Sequence, residues 1–144
     1  MLKIINEDTF VDYIYNIVLK NNYITISKDN IIKYINDKYH KVVVKLDSNN
    51  SIVGFTIYFI LYPEIDILFI ATYPNNNGYG REMIDYIFND AKKNKISSIK
   101  LELDITNIKA LNFYKKNGFT EVAIRKKYYN NKSDAIIMEK TFIY

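Results

Sequence analysis

The stretch from Ile65 to Ala91 limits what this chain can fold into more than any other part of it. Ile65-Asp66-Ile67-Leu68-Phe69-Ile70 is a nearly continuous apolar run of strand length, of the kind that lies inside a sheet. From Arg81 onward, Met83, Ile84, Ile87, Phe88 and Ala91 recur at helical spacing on one face, which predicts a helix ending around Lys92 to Asn94. Between the two stands Asn75-Asn76-Asn77-Gly78-Tyr79-Gly80-Arg81. A strand that enters a helix through such a loop leaves backbone N–H groups unpaired at the positive helix end. Gly78 and Gly80 lack the Cβ that would hold an anion away from that backbone and restrict the turn. Residues 75 to 81 are therefore an expected anion site.

The loop is not of two familiar nucleotide-binding kinds. A dinucleotide fold would need a third glycine at the usual spacing and an acidic residue closing a following strand. A phosphate loop of the ATPase type would need Gly-Lys-Ser/Thr, which is missing. Composition narrows the setting. The 144 residues, 49% hydrophobic and 25% charged, suit one ordered domain spanning 1–144 without disulfides or metal. There is no cysteine, which excludes disulfides, thiolate metal sites and a cysteine nucleophile, and the cytoplasm is the expected location. The N-terminal residues lack the pattern of a signal peptide, and no apolar run approaches the roughly 18 residues that span a bilayer. The net charge of +4 comes from 18 Lys and 2 Arg dispersed along the chain, so neither nucleic acid nor membrane is an expected partner. A modest positive field still favours an anionic ligand.

The remaining elements follow from periodicity. Met1 to Ile5 reads as a short strand. Phe10, Val11, Ile14, Ile17 and Val18 predict a helix with Asn6 or Asp8 as its cap, and Ser27 opens a second helix with Ile31, Ile32 and Ile35 on one face. After a turn near His40, Val42, Val44 and Leu46 alternate; Asp47-Ser48-Asn49-Asn50 turns the chain, and Val53, Phe55, Ile57 and Phe59 alternate again. Ile99, Leu101 and Leu103 mark a later strand, followed by a short helix from Asn107 to about Lys116, stopped by Asn117-Gly118. Strands over Phe119–Tyr128 and Asp134–Phe142 finish an order β-α-α-β-β-β-α-β-α-β-β, a mixed α/β layer structure.

The loop resembles the acetyl-CoA-binding motif of the GNAT acetyltransferases, Gln/Arg-x-x-Gly-x-Gly/Ala, with Asn75 standing where that family has Gln or Arg. Leu101-Glu102-Leu103-Asp104-Ile105-Thr106-Asn107 and Ala110-Leu111-Asn112-Phe113-Tyr114-Lys115-Lys116-Asn117-Gly118-Phe119 are similar to the family's strand, Asn-led helix and Tyr-x-x-x-Gly-Phe ending. Arg125-Lys126-Lys127-Tyr128-Tyr129 and Asp134-Ala135-Ile136-Ile137-Met138 resemble the closing strands of bacterial ribosomal-protein alanine N-acetyltransferases and archaeal N-terminal acetyltransferases. The resemblance runs from roughly Ile65 to Met138. The region from Ile5 to His40 departs from it and has no Pro-Trp stretch; the chain contains no Trp.

This resemblance implies a GNAT fold, a central and mostly antiparallel sheet flanked by about four helices. It implies acetyl-CoA as co-substrate, held by the main chain of Leu68, Phe69 and Ile70, by Asn75, Asn76, Asn77, Gly78, Tyr79, Gly80 and Arg81, and by Asn107 and Tyr114. It also implies Glu102 as general base and Tyr114 as general acid. Chemistry agrees, since a protonated amine cannot attack a thioester and a departing thiolate benefits from a proton donor. Glu102 on a solvent face, or Tyr114 as one of 14 tyrosines used for packing, are the competing readings. Tyr128 and Tyr129 are candidates for the acceptor groove. His40, the single histidine, is expected at the surface without an acidic partner, and the dispersed Asp66, Asp85, Asp104 and Asp134 predict no metal. The expected acceptor is the N-terminal α-amine of a peptide or protein, with a small amine such as a polyamine or aminoglycoside as alternative. A non-catalytic acyl-CoA-sensing module is the reading from another class. A monomer or homodimer is expected.

Overall fold

Alternating apolar residues place most of the strands, and the computed structural model, which describes residues 1–75, 77–126 and 133–144, joins them in one sheet. The strands are β1 (Leu2–Ile4), β2 (His40–Leu46), β3 (Ile52–Leu61), β4 (Glu64–Thr72), β5 (Ser98–Asp104), β6 (Thr120–Arg125) and β7 (Ala135–Thr141). The sheet order is β1-β2-β3-β4-β5-β7-β6. Every neighbouring pair is antiparallel except β4 and β5, which are parallel. The helices are α1 (Val11–Leu19), α2 (Lys28–Asn36), α3 (Tyr79–Lys93) and α4 (Ile108–Lys116), so the element order is the expected one.

Two cores sandwich the sheet. Ile84, Ile87 and Ala91 of α3 and Tyr114 of α4 pack with Val43, Tyr58, Ile65, Ile67, Leu101 and Leu103. On the other face, Ile14, Ile17 and Val18 of α1 and Ile31 and Ile35 of α2 pack with Val42, Val44, Phe55 and Ile57. Consecutive β2 residues therefore alternate between the two cores, which explains the unbroken Val42-Val43-Val44 run.

Local details correct the sequence reading in several places. The Ser27 hydroxyl caps α2 as expected, accepting from the Asn30 N–H at 3.1 Å. Neither Asn6 nor Asp8 caps α1. The chain first makes a 3-10 turn over Asp8–Phe10, and the Asp8 carboxylate accepts instead from the Asn36 side chain of α2 at 3.3 Å. Ile32 is only partly buried, because Ile31 and Ile35 hold the inner face of α2. β1 omits Met1 and Ile5, although the Ile5 N–H still donates to the Val42 carbonyl at 2.8 Å. The last strand begins at Ala135 and ends at Thr141. β6 spans Thr120–Arg125, and the predicted extension through Lys127 and Tyr128 lies outside the described residues. His40 is no lone surface residue either. It opens β2, its Nδ1 meets the Asp37 carboxylate, and its ring lies 4.7 Å and 4.8 Å from those of Tyr34 and Phe59. The end of α2 carries Tyr34 and Asp37 onto it.

Candidate functional site

The parallel contact between β4 and β5 is short. It runs from Glu64 opposite Ser98 to Ile67 opposite Leu101 and then stops. On its other edge β4 opposes Tyr58 with Ile67 and Ile57 with Phe69, which leaves Leu68 as an extra, bulged residue. A bulge bends its strand and increases its twist, so β4 leaves β5 at this point. Beyond it, Phe69 and Ile70 remain paired with β3, and the opposite main-chain edge of Leu68–Ile70 borders a gap between β4 and β5. Phe69 packs with the α1/α2 core and Ile70 with the α3/α4 core, so the backbone here lies between the two layers.

The loop that follows β4 is held by its own polar groups. The Thr72 hydroxyl donates to Asn75 Oδ1 at 3.1 Å, and the Asn77 side chain donates to the Asn75 carbonyl at 3.2 Å. Asn75 thus turns back to the end of its strand; Asn76 lies outside the described residues. Gly78 is the residue before α3, in the left-handed region at φ 76°, and no side chain caps the helix. A Cβ there would meet nothing within 4 Å, so conformation and not crowding demands glycine. At Gly80 a Cβ would lie 3.4 Å from the Phe113 ring of α4, an ordinary contact distance. Tyr79 opens the helix beneath the Lys45 ammonium, 5.6 Å from the ring centroid, and Lys45 pairs with Glu82 at 2.7 Å. The Arg81 Nε donates to Asp85 at 3.0 Å.

Glu102 stands on β5 between Leu101 and Leu103, which enter the α3/α4 core. Strand alternation turns its side chain to the other face, where it is 31% exposed and accepts at 2.7 Å from Nη2 of Arg125, on the outermost strand β6. Two residues on, Asp104 Oδ1 accepts from the Thr106 N–H at 2.9 Å and its hydroxyl at 2.6 Å. The Tyr23 hydroxyl, in the α1–α2 connection, donates to the Thr106 carbonyl at 3.2 Å. The α1–α2 connection is thereby tied to the chain just beyond β5. Asn107 caps α4, its Oδ1 accepting from the Ala110 N–H at 3.2 Å.

Tyr114 lies in the α3/α4 core, 8% exposed, its ring edge-on to Phe113 and Phe119 at 5.2 Å and 5.5 Å. Burial pushes its phenol well above the ordinary value. Among the described residues its hydroxyl has no hydrogen-bond partner.

Apart from Asn107 at the start of α4 and Asn76 outside the described residues, the sequence-predicted residues thus fall into three groups. Leu68, Phe69 and Ile70 border the β4–β5 gap, Asn75, Asn77 and Gly78 form the turn into α3, and Tyr79, Gly80 and Arg81 are the first residues of that helix. Glu102 and Tyr114 flank β5 from opposite faces, with Tyr114 packed beside Glu102's neighbours Leu101 and Leu103. Tyr128 and Tyr129 lie outside the described residues. Arg125 and Tyr23 escaped the sequence reading, since each acts through a partner 23 or 83 residues away. Among the described residues, no group of three or more His, Asp or Glu side chains is placed to hold a metal, and no helix is long and apolar enough to cross a membrane.

Comparison with known proteins shows the family. Residues 12–142 match the acetyltransferase (GNAT) domain family. The [ribosomal protein bS18]-alanine N-acetyltransferase of Escherichia coli is 29% identical over 99 residues, 65% of this chain and 67% of that protein. The crystal structure of the Escherichia coli ribosomal-protein-S18-alanine N-acetyltransferase superposes with a TM-score of 0.86 at 23% identity, covering 100% of this chain and 96% of the other. A spermidine N-acetyltransferase from Vibrio cholerae shares the fold at TM-score 0.81 and 20% identity, over 98% and 94% of the two chains. With its matched span, its seven-stranded sheet and the parting of β4 from β5, the chain belongs to the GNAT family of N-acetyltransferases.

Proposed function

We propose that this chain transfers an acetyl group from acetyl-CoA to the N-terminal α-amine of a peptide or protein, in one domain that works without a metal in the cytoplasm. The observation that carries the reading is the gap between β4 and β5, bordered by free main-chain edge at Leu68–Ile70 and by Glu102. GNAT acetyltransferases use acetyl-CoA, and the residues here suit it: an uncapped α3 N-terminus behind a glycine with open space around it takes the pyrophosphate. Asn107 and the β4 edge hold the pantetheine arm. A groove of about 600 Å³ that begins at Arg81 and runs along α3 past Lys92, Lys116 and Lys140 adds a positive field for an anionic donor.

When bound, acetyl-CoA supplies an activated acyl thioester. Glu102 takes a proton from the acceptor amine, directly or through one water, so that the nitrogen lone pair can form the new amide bond. Tyr114, a phenol that carries its proton at neutral pH, gives it to the departing sulfur as the C–S bond breaks. The base it needs is modest for an α-amine of pKa about 8, of which roughly a tenth is neutral at pH 7; a lysine amine of pKa about 10.4 is far less available. The similarity to an alanine N-acetyltransferase supports this acceptor, whereas the spermidine enzyme is alike in fold alone.

Mass spectrometry of peptides that carry both a free α-amine and a lysine tests the proposal. Acetylation at the α-amine is the expected result; transfer only to lysine ε-amines or to free polyamines would overturn it.

A further inference from the structure

We propose that Arg125 is a positioning residue for the reaction, holding the Glu102 carboxylate in the orientation in which it can take the acceptor proton. The inference rests on the reading of Glu102 as general base. It starts from register. Arg125 opposes Ala135 on β7, and Ala135 opposes Asp104 on β5, so these three side chains share one face with Glu102, one pair further along. Arg125 is on the edge strand, and a long side chain must cross β7 to reach β5. The fully buried Ala135 is small enough to let it pass over.

Two carboxylates lie within that reach, and they are not equivalent. Asp104 Oδ1 is engaged by the Thr106 N–H and hydroxyl at 2.9 Å and 2.6 Å, which fixes the turn after β5. Glu102 receives the guanidinium, Nη2 to Oε1 at 2.7 Å, the short length of a charge-assisted hydrogen bond. The Arg125 side chain is 62% exposed and that of Glu102 31%. A pair this exposed contributes at most about 1 kcal/mol to folding, and often nothing measurable. Stability is therefore a weak reason for the contact, and geometry a better one. A glutamate has three side-chain torsions to fix, and a base must come within hydrogen-bond reach of the proton it removes. The planar guanidinium loses little freedom in fixing them.

The test is a double-mutant cycle on the full chain, read as kcat and KM for acetyl-CoA, with melting temperature as control. Arg125→Ala is expected to lower kcat about tenfold, short of the roughly hundredfold that a 1 Å misplacement can cost. KM for acetyl-CoA and the melting temperature stay close to those of the parent. Arg125→Lys, which keeps a cation but not the fork, recovers part of the loss. In a Glu102→Gln background, Arg125→Ala has no further effect. An unchanged kcat in Arg125→Ala, beside an impaired Glu102→Gln, would overturn the role of Arg125 and leave Glu102 as base. Equal losses in both backgrounds would also overturn it, since Arg125 would then act without Glu102. Full activity in Glu102→Gln would remove the base itself, and the proposal with it.

Discussion

At the residue scale, burial sets the chemistry of the tyrosines. Tyr114 and Tyr58 sit 8% and 0% exposed, and desolvation raises both phenols above their usual value; for Tyr58 the bond it donates to Asp90 adds to the effect. The sign of the consequence follows from linkage. The folded chain holds these protons more tightly than the unfolded one, so their contribution is complete below the unfolded value of about 10 and is lost as pH rises above it. Urea midpoints should therefore be flat from pH 7 to 9 and fall steeply above pH 10, with a shallower fall in Tyr114→Phe. An alkaline limb identical in that variant would contradict the assignment. In turnover, Glu102→Gln and Tyr114→Phe should each lose about a hundredfold, the usual scale for lost acid-base help; steady-state thiol release measures it, and full activity removes the residue from the mechanism. Both residues became candidates through the family resemblance, Tyr114 by its place in the Tyr-x-x-x-Gly-Phe ending, whereas strand alternation said of Glu102 only that it turns away from Leu101 and Leu103. Neither could reach Arg125, whose meaning depends on the small Ala135 lying between two strands.

The elements were legible in order because hydrophobic period and turn residues act locally. Their ends were less so. Ser27 caps α2 as its type and place suggested, but Asp8 is drawn away from α1 by Asn36 of another helix. The bulge at Leu68, which parts β4 from β5, has no sequence sign, since it exists only relative to the partner strand. Asn107 carries a cap that resemblance alone would have assigned wholly to the cofactor. Asn107→Ala should cost about 1 kcal/mol in denaturant unfolding, and Asn107→Asp much less, because an aspartate caps as well. If Asn107 also touches the pantetheine arm, both variants raise KM for acetyl-CoA; a KM unchanged in both would leave the residue a cap alone. A second element-scale test concerns Asp90 of α3, which accepts from Tyr58 of β3 at 2.8 Å and Lys41 of β2 at 2.7 Å. Its side chain is 9% exposed, and Asp90→Ala should destabilise by about 3 kcal/mol by stranding both partners. A loss under about 1 kcal/mol would mean that water replaces the bond.

For the whole molecule, the two-core arrangement explains why the site lies where it does. The helices of one face pack over β2, β3 and β4, and those of the other over the strands from β2 to β7, so the parted β4–β5 pair lies between layers. Gly78, Asn107 and Tyr114 drew notice in sequence because they sit in short contiguous patterns. The contacts of Tyr23 with Thr106 and of Arg125 with Glu102 were not legible there, because they join the α1–α2 connection, β5 and the chain beyond it, and β6, which meet only in the fold. The most direct test of the central claim is a thiol-release assay with acetyl-CoA. It compares peptides with free N-termini, a lysine peptide with a blocked N-terminus, spermidine and an aminoglycoside, for the parent chain and Glu102→Gln. Release with free N-termini alone, lost in Glu102→Gln, is the predicted result. Release with the blocked lysine peptide or the small amines alone, or no release from any acceptor while acetyl-CoA still binds, would contradict the account.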